Sequence, residues 1–192
     1  MFTLEEFVII NRLIKKNEIK ELQLLLHEAY KNDTKVGINF QAASVSLQQI
    51  DEHIENTATF VTEIDHNIVA TVSVRLPWSD NPGPYPVPHL GWIATHSQFS
   101  KQGYATQLID WVEREYIQKQ LKSPLVSLGT AVEHPWLKKF YNSIGYQSVE
   151  EVQKTSDHLT VYMVKPLNKK FDHMQSEKLK KYLNRNSIKL SY

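Results

Sequence analysis

The stretch His89-Leu-Gly-Trp-Ile-Ala-Thr-His-Ser-Gln-Phe-Ser-Lys-Gln-Gly-Tyr-Ala-Thr-Gln-Leu108 decides how this chain reads. Its first part suits a strand, because Leu90, Trp92, Ile93 and Thr95 favour a pleated, buried surface. Its last part opens a helix. Apolar residues at Ala105, Leu108, Ile109, Val112 and Tyr116 fall on one helical face. Between the two lies Ser100-Lys-Gln-Gly-Tyr-Ala105. A strand, a polar turn with a glycine and a helix start together make a place for an anion. The first helical N–H groups have no partner inside the helix, and the helix dipole favours negative charge there. Gly103 lets the backbone approach a ligand closely; Lys101 adds a positive charge and Thr106 a hydroxyl. The turn is neither a P-loop, since no Gly-Lys-Ser/Thr follows, nor a dinucleotide fingerprint, since Gly-x-Gly-x-x-Gly is absent.

Downstream, Leu125-Val-Ser-Leu-Gly-Thr130 reads as the next strand. Pro135 suits a first helical position. Leu137, Phe140, Tyr141 and Ile144 follow at helical spacing, and Gly145 supplies a left-handed stop. Tyr146 to Val152 and His158 to Val164 read as a closing hairpin. Upstream, Thr59–Ile64 and Ile68–Arg75 are strands joined by the turn Asp65-His66-Asn67. Ser46-Leu-Gln-Gln49 is a capping box that starts a short helix bearing Leu47, Ile50 and Ile54. An earlier helix is expected from Glu18 to Tyr30, ended by Asn32-Asp33, and Phe7–Ile10 is expected to be the first strand. Residues 34–45 read as a loop. Five prolines between Pro77 and Pro88 make a stiff loop, either a surface connection or a wall of an acceptor pocket.

The chain has 192 residues, 41% hydrophobic and 22% charged, enough to build a core in one domain. Its net charge of +1 points to no particular partner. The absence of cysteine excludes disulfides, a cysteine nucleophile and a cysteine-based zinc site. The spacing of the eight histidines matches no metal motif, so no metal is expected. Acidic Glu5 and Glu6 argue against a secretory signal, and no apolar run approaches the ~20 residues of a membrane span. A cytoplasmic protein without membrane or nucleic-acid partners is the expectation. Positive charge gathers at the end, where residues 165–192 hold eight Lys/Arg against two Asp/Glu. Residues 169–185 form a basic helical candidate whose charges read as a solvated face. The chain is therefore expected to divide into a domain of residues 1–168 and a basic helical tail of residues 169–192.

The phosphate-binding turn resembles the coenzyme A site of the GNAT superfamily of N-acetyltransferases, whose motif is Arg/Gln-x-x-Gly-x-Gly/Ala. Gly103 and Ala105 match it, while Ser100 stands where the family usually has Arg or Gln, which removes one phosphate contact and leaves the backbone cradle. Pro135 to Tyr146 resembles the family's following helix, which commonly ends in Tyr-x-x-x-Gly-Phe/Tyr, and the likeness extends in order over roughly residues 5 to 165. It implies an α/β fold, a mixed and mostly antiparallel central sheet flanked by helices. It implies acetyl-CoA as co-substrate and a small-molecule or peptide amine as acceptor, and it allows a homodimer.

It also implies roles. Ser100, Lys101, Gln102, Gly103, Tyr104, Ala105 and Thr106 would cradle the pyrophosphate, and Ile93 and Thr95 would grip the pantetheine arm, with a backbone N–H to stabilise the developing oxyanion. His134 stands where the family often has an Asn near the pantetheine. Tyr141 would protonate the departing thiolate, although an aromatic on a helix is commonly core. His89 would be the general base, directly or through water, since an ordinary imidazole titrates near 6.5. Glu133 is the rival base or an anchor for a cationic acceptor. The alternatives are a non-catalytic acyl-CoA-binding module and a protein-interaction module of the same fold.

Overall fold

In the computed structural model, which describes residues 8–35, 40–153, 159–171, 174 and 176–187, seven strands lie in one sheet. They are Ile9–Leu13 (β1), Ala58–Ile64 (β2), Asn67–Arg75 (β3), His89–Thr95 (β4), Leu125–Ala131 (β5), Gln147–Gln153 (β6) and Leu159–Pro166 (β7). Their order is β1-β2-β3-β4-β5-β7-β6. Every neighbouring pair is antiparallel except β4 and β5, which run parallel. A parallel neighbour needs a crossover, and the helix Tyr104–Trp111 (α3) lies in that connection.

β4 and β5 share only the register pairs His89↔Ser127 and Leu90↔Leu128, then part. On its other side β4 carries a bulge. Between Thr71↔Ala94 and Ser73↔Gly91 it has one residue more than β3, and Trp92 takes a φ of +46°. A bulge of this kind bends a strand and re-aims its side chains. The splay and the bulge together open the sheet at its centre.

Helices cover both faces. Ile19–Lys35 (α1) and Leu47–Asn56 (α2) lie on one, with Leu22, Leu25, Leu26 and Ile50 fully buried against Val61, Ile68 and Ala94. The capping box of α2 is in place: Ser46 Oγ accepts from the Gln49 N–H and the Gln49 side chain from the Ser46 N–H. α3 and Pro135–Ser143 (α4) cover the other face, where Leu108, Ile109 and Val112 pack on Val72, Val74, Val126 and Leu128. The expected end of α1 near Asn32-Asp33 is overrun, since the helix continues to Lys35. β1 begins at Ile9 and runs on to Leu13, not Phe7 to Ile10, and Phe7 falls outside the described residues. β6 and β7 form the expected hairpin, whose expected first residue in β7, His158, is likewise outside them.

The basic end of the chain is anchored. Ser176–Ser187 (α5) exposes Lys178 and Lys181. On its other side Leu179 and Leu183 are completely buried, and with Phe171 they pack on Tyr85, Val87, Tyr162 and Val164. The expectation of a solvated tail holds for one face of this helix and fails for the other. No helix among the described residues is long and apolar enough to cross a membrane.

Candidate active site

The turn before α3 has the backbone of an anion cradle. Lys101 and Gly103 both have positive φ, +63° and +87°, and no side chain caps α3. The first-turn N–H groups of Tyr104, Ala105 and Thr106 therefore stay open to a ligand. Gln102 Nε2 donates to the Gln98 carbonyl, which turns its amide back into the loop. The turn is tied to α1, because Glu28 accepts from Ser97 Oγ and pairs with His96 Nε2 at 3.1 Å. Past Trp111 the helix widens into a π-helical run, Val112–Gln118. Such widening is frequent at functional sites.

Where β4 leaves β5, a cavity of about 270 Å³ opens. Tyr30, Phe40 and His53 wall one side, Leu137 and Tyr141 another, and Leu90 to Ile93 of β4 lie between. Two of the three predicted catalytic residues, His89 and Tyr141, line it. Glu133 does not. It is exposed at the end of β5 and accepts the Leu159 N–H at 3.2 Å. Of the predicted pantetheine contacts, Ile93 lines the cavity, but its carbonyl already accepts the Tyr30 hydroxyl at 2.9 Å. Thr95 pairs with Ala70 at the far end of β4. His134 is the N-cap residue of α4, its ring 6.1 Å from that of Trp136.

His89 is buried, and its Nδ1 lies 2.9 Å from Ser127 Oγ. The Ser127 hydroxyl can donate to the Pro88 carbonyl at 3.4 Å. Its lone pairs are then left for Nδ1–H, which puts the imidazole lone pair on Nε2. Gly83 sits so close that a Cβ there would come within 2.5 Å of His89 Cβ. The proline-rich loop is thus a wall of the site: Gly83 presses on His89 and Asn81 lines the cavity, while Trp78 stays exposed.

Tyr141 is buried between Phe140 and Tyr146, with ring centroids 5.1 and 6.0 Å away. Burial pushes its phenol well above the ordinary 10, so it keeps its proton at neutral pH. Tyr146 is fixed in turn by Glu113, which accepts its hydroxyl at 2.6 Å and Lys165 Nζ at 2.5 Å. Burial raises the Glu113 pKa and the Lys165 charge opposes the rise.

Sequence reasoning missed most of the cavity lining, including its two other basic residues, His53 and Arg75. His53 stacks on Trp92 at 3.6 Å, and burial, with the charge of Arg75, lowers its pKa to about 4, so it is neutral. Arg75 ends β3 directly opposite His89, and its Nη1 donates to Asn81 Oδ1 at 3.1 Å. Among the described residues no carboxylate pairs with Arg75 and none lines the cavity.

Residues 19–146 match the model of the acetyltransferase (GNAT) family. The chain is 40% identical over 156 residues to S-(2-succino)cysteine N-acetyltransferase of Bacillus subtilis (strain 168), covering 81% of this chain and 94% of that protein. It is 30% identical over 147 residues to S-alkylcysteine N-acetyltransferase of the same organism, covering 76% and 83%. The crystal structure of a PaiA N-acetyltransferase from Thermoplasma acidophilum in complex with coenzyme A superposes with a TM-score of 0.64. That match has 14% identity and covers 83% of this chain and 99% of that one.

Proposed function

Because the chain belongs to the GNAT acetyltransferase family, and so is an acyltransferase with acetyl-CoA as co-substrate, we propose that it acetylates the α-amine of an S-substituted cysteine by direct attack in a ternary complex. The observation that carries this reading is the charge of the cavity wall, one guanidinium and, among the described residues, no carboxylate. A polyamine would meet repulsion there, whereas an amino acid brings a carboxylate to match. Both curated relatives are named for S-substituted cysteines, and the apolar walls of Phe40, Leu137 and Trp92 suit an alkyl group on that sulfur.

In the mechanism, His89 takes a proton from the ammonium, directly or through water. The amine nitrogen attacks the thioester carbonyl carbon, and a backbone N–H at the β4 bulge stabilises the oxyanion. The C–S bond breaks, and Tyr141 gives its proton to the leaving thiolate. The second proton of the attacking nitrogen is lost to water as the amide forms, and solvent reprotonates the Tyr141 phenolate before the next turnover. The turn at Lys101–Thr106 holds the pyrophosphate, and the opening between β4 and β5 takes the pantetheine arm. Glu133 is engaged elsewhere, which favours His89 as base.

A panel of amines with thiol-release detection tests the acceptor. S-methylcysteine and S-(2-succino)cysteine should release thiol far faster than spermidine or a peptide N-terminus. Preference for the polyamine or peptide would overturn the acceptor. Coenzyme A binding without turnover of any amine would favour a non-catalytic module.

A further inference from the structure

Arg75 is a permanent cation, since a guanidinium does not lose its proton in a protein. It is partly buried, and burial disfavours its charge. Its hydrogen-bond partner is the neutral Asn81, at 3.1 Å. Neutral His53 offers no compensating charge. A half-buried guanidinium with one neutral acceptor is half of an ion pair, and its planar fork matches a carboxylate through two parallel hydrogen bonds. The phosphates of coenzyme A do not supply the other half. Their cradle follows the far end of β4, and six residues of strand separate that end from His89, about 20 Å at ~3.3 Å per residue.

We propose that Arg75 grips the α-carboxylate of the acceptor and thereby sets its α-amine beside His89; the assignment rests on an amino-acid acceptor as argued above. Arg75 and His89 are direct register partners, and both line the cavity. In an α-amino acid the amine and carboxylate hang from one carbon, so a ligand anchored at one of two adjacent side chains presents its other group to the second. A Cβ at Gly91 would stand 3.8 Å from Ser73 Oγ and 4.0 Å from Arg75 Nε, ordinary contact distances, so the guanidinium stem runs alongside the β4 backbone near His89. Asn81 holds the guanidinium from the loop side and leaves other N–H groups for the ligand. Selection then acts on a neighbour of the reacting amine, and amino-acid amides and polyamines are rejected together.

The test compares kcat/KM for S-methylcysteine and its carboxamide in the wild-type enzyme, R75Q and R75K. Each ratio is internal to one protein, so it does not depend on the folded fraction. The wild type should prefer the acid by about 10- to 100-fold, the worth of a hydrogen bond to a charged group. R75Q should bring the ratio near one, chiefly through KM for the acid, and R75K should keep an intermediate preference. Equal use of acid and amide by the wild type, or an undiminished preference in R75Q, overturns the role of Arg75. R75Q that loses both activities in proportion keeps the wild-type ratio and also counts against it. If the wild type acetylates neither compound but does acetylate another amine, the acceptor reading itself fails and takes this assignment with it.

Discussion

At the scale of the residue, Tyr141 gives the sharpest prediction. Its ring is packed and its phenol protonated, so Tyr141→Phe keeps the packing and removes one proton donor. We expect kcat to fall by about 10² to 10⁴, the usual worth of general acid catalysis, with acetyl-CoA affinity by calorimetry little changed. Equal kcat where chemistry limits turnover would leave Tyr141 a packing residue. Tyr141 and His89 could be picked out in the sequence because a family pattern points at their positions. Arg75 and His53 could not. An arginine closing a strand and a histidine on a short amphipathic helix belong to no motif in the sequence. What changes their meaning is the bulge at Trp92 and the fold of the loop around Asn81, both products of tertiary packing.

At the scale of the element, the Gly103 turn was legible, since only a glycine adopts its φ of +87° without strain. A Cβ there would stand 3.6 Å from Gln107 Nε2, an ordinary contact distance, so space for it within the protein is not the obstacle. Gly103→Val should therefore fold with a loss of about 1–2 kcal/mol from the left-handed backbone, while blocking the approach of a pyrophosphate. We expect coenzyme A affinity by calorimetry to weaken at least ~10-fold, since the backbone donors of an anion site act as a set. Unchanged affinity in the folded variant would place the cradle elsewhere. Other element features were hidden. Asn32-Asp33 reads as a stop, but packing of Leu22, Leu25 and Leu26 holds α1 together to Lys35. A bulge has no signature in β4 alone, because it exists only against the register of β3.

At the scale of the whole molecule, a mixed, mostly antiparallel sheet flanked by helices followed from the resemblance, whereas the strand order and the docking of α5 did not. Its basic composition reads as a solvated surface, and only the buried Leu179 and Leu183 reveal an apolar seam. Burying Phe171, Leu179 and Leu183 contributes roughly 1.5–3 kcal/mol each before the cost of ordering the helix. Truncation after Asn168 should then cost about 3 kcal/mol net and lower Tm by about 6–12 °C, read by scanning calorimetry. An unchanged Tm would show that the helix does not hold the sheet. Its loss also reaches the site, because Tyr85 packs on Tyr162 and Tyr162 on His89, at 6.0 and 6.2 Å.

The parting of β4 from β5 also shapes how the chain assembles. β1 to β4 pair in sequence order, and β5, β6 and β7 form a second antiparallel group. Across the α3 crossover the backbone ladder rewards loop closure with only two register pairs. The closure that joins the two groups thus meets the sheet's thinnest ladder, and contacts that form across long sequence separations form slowly. The opening proposed to take the coenzyme arm is, in the folding reaction, a seam between two halves that can each assemble first.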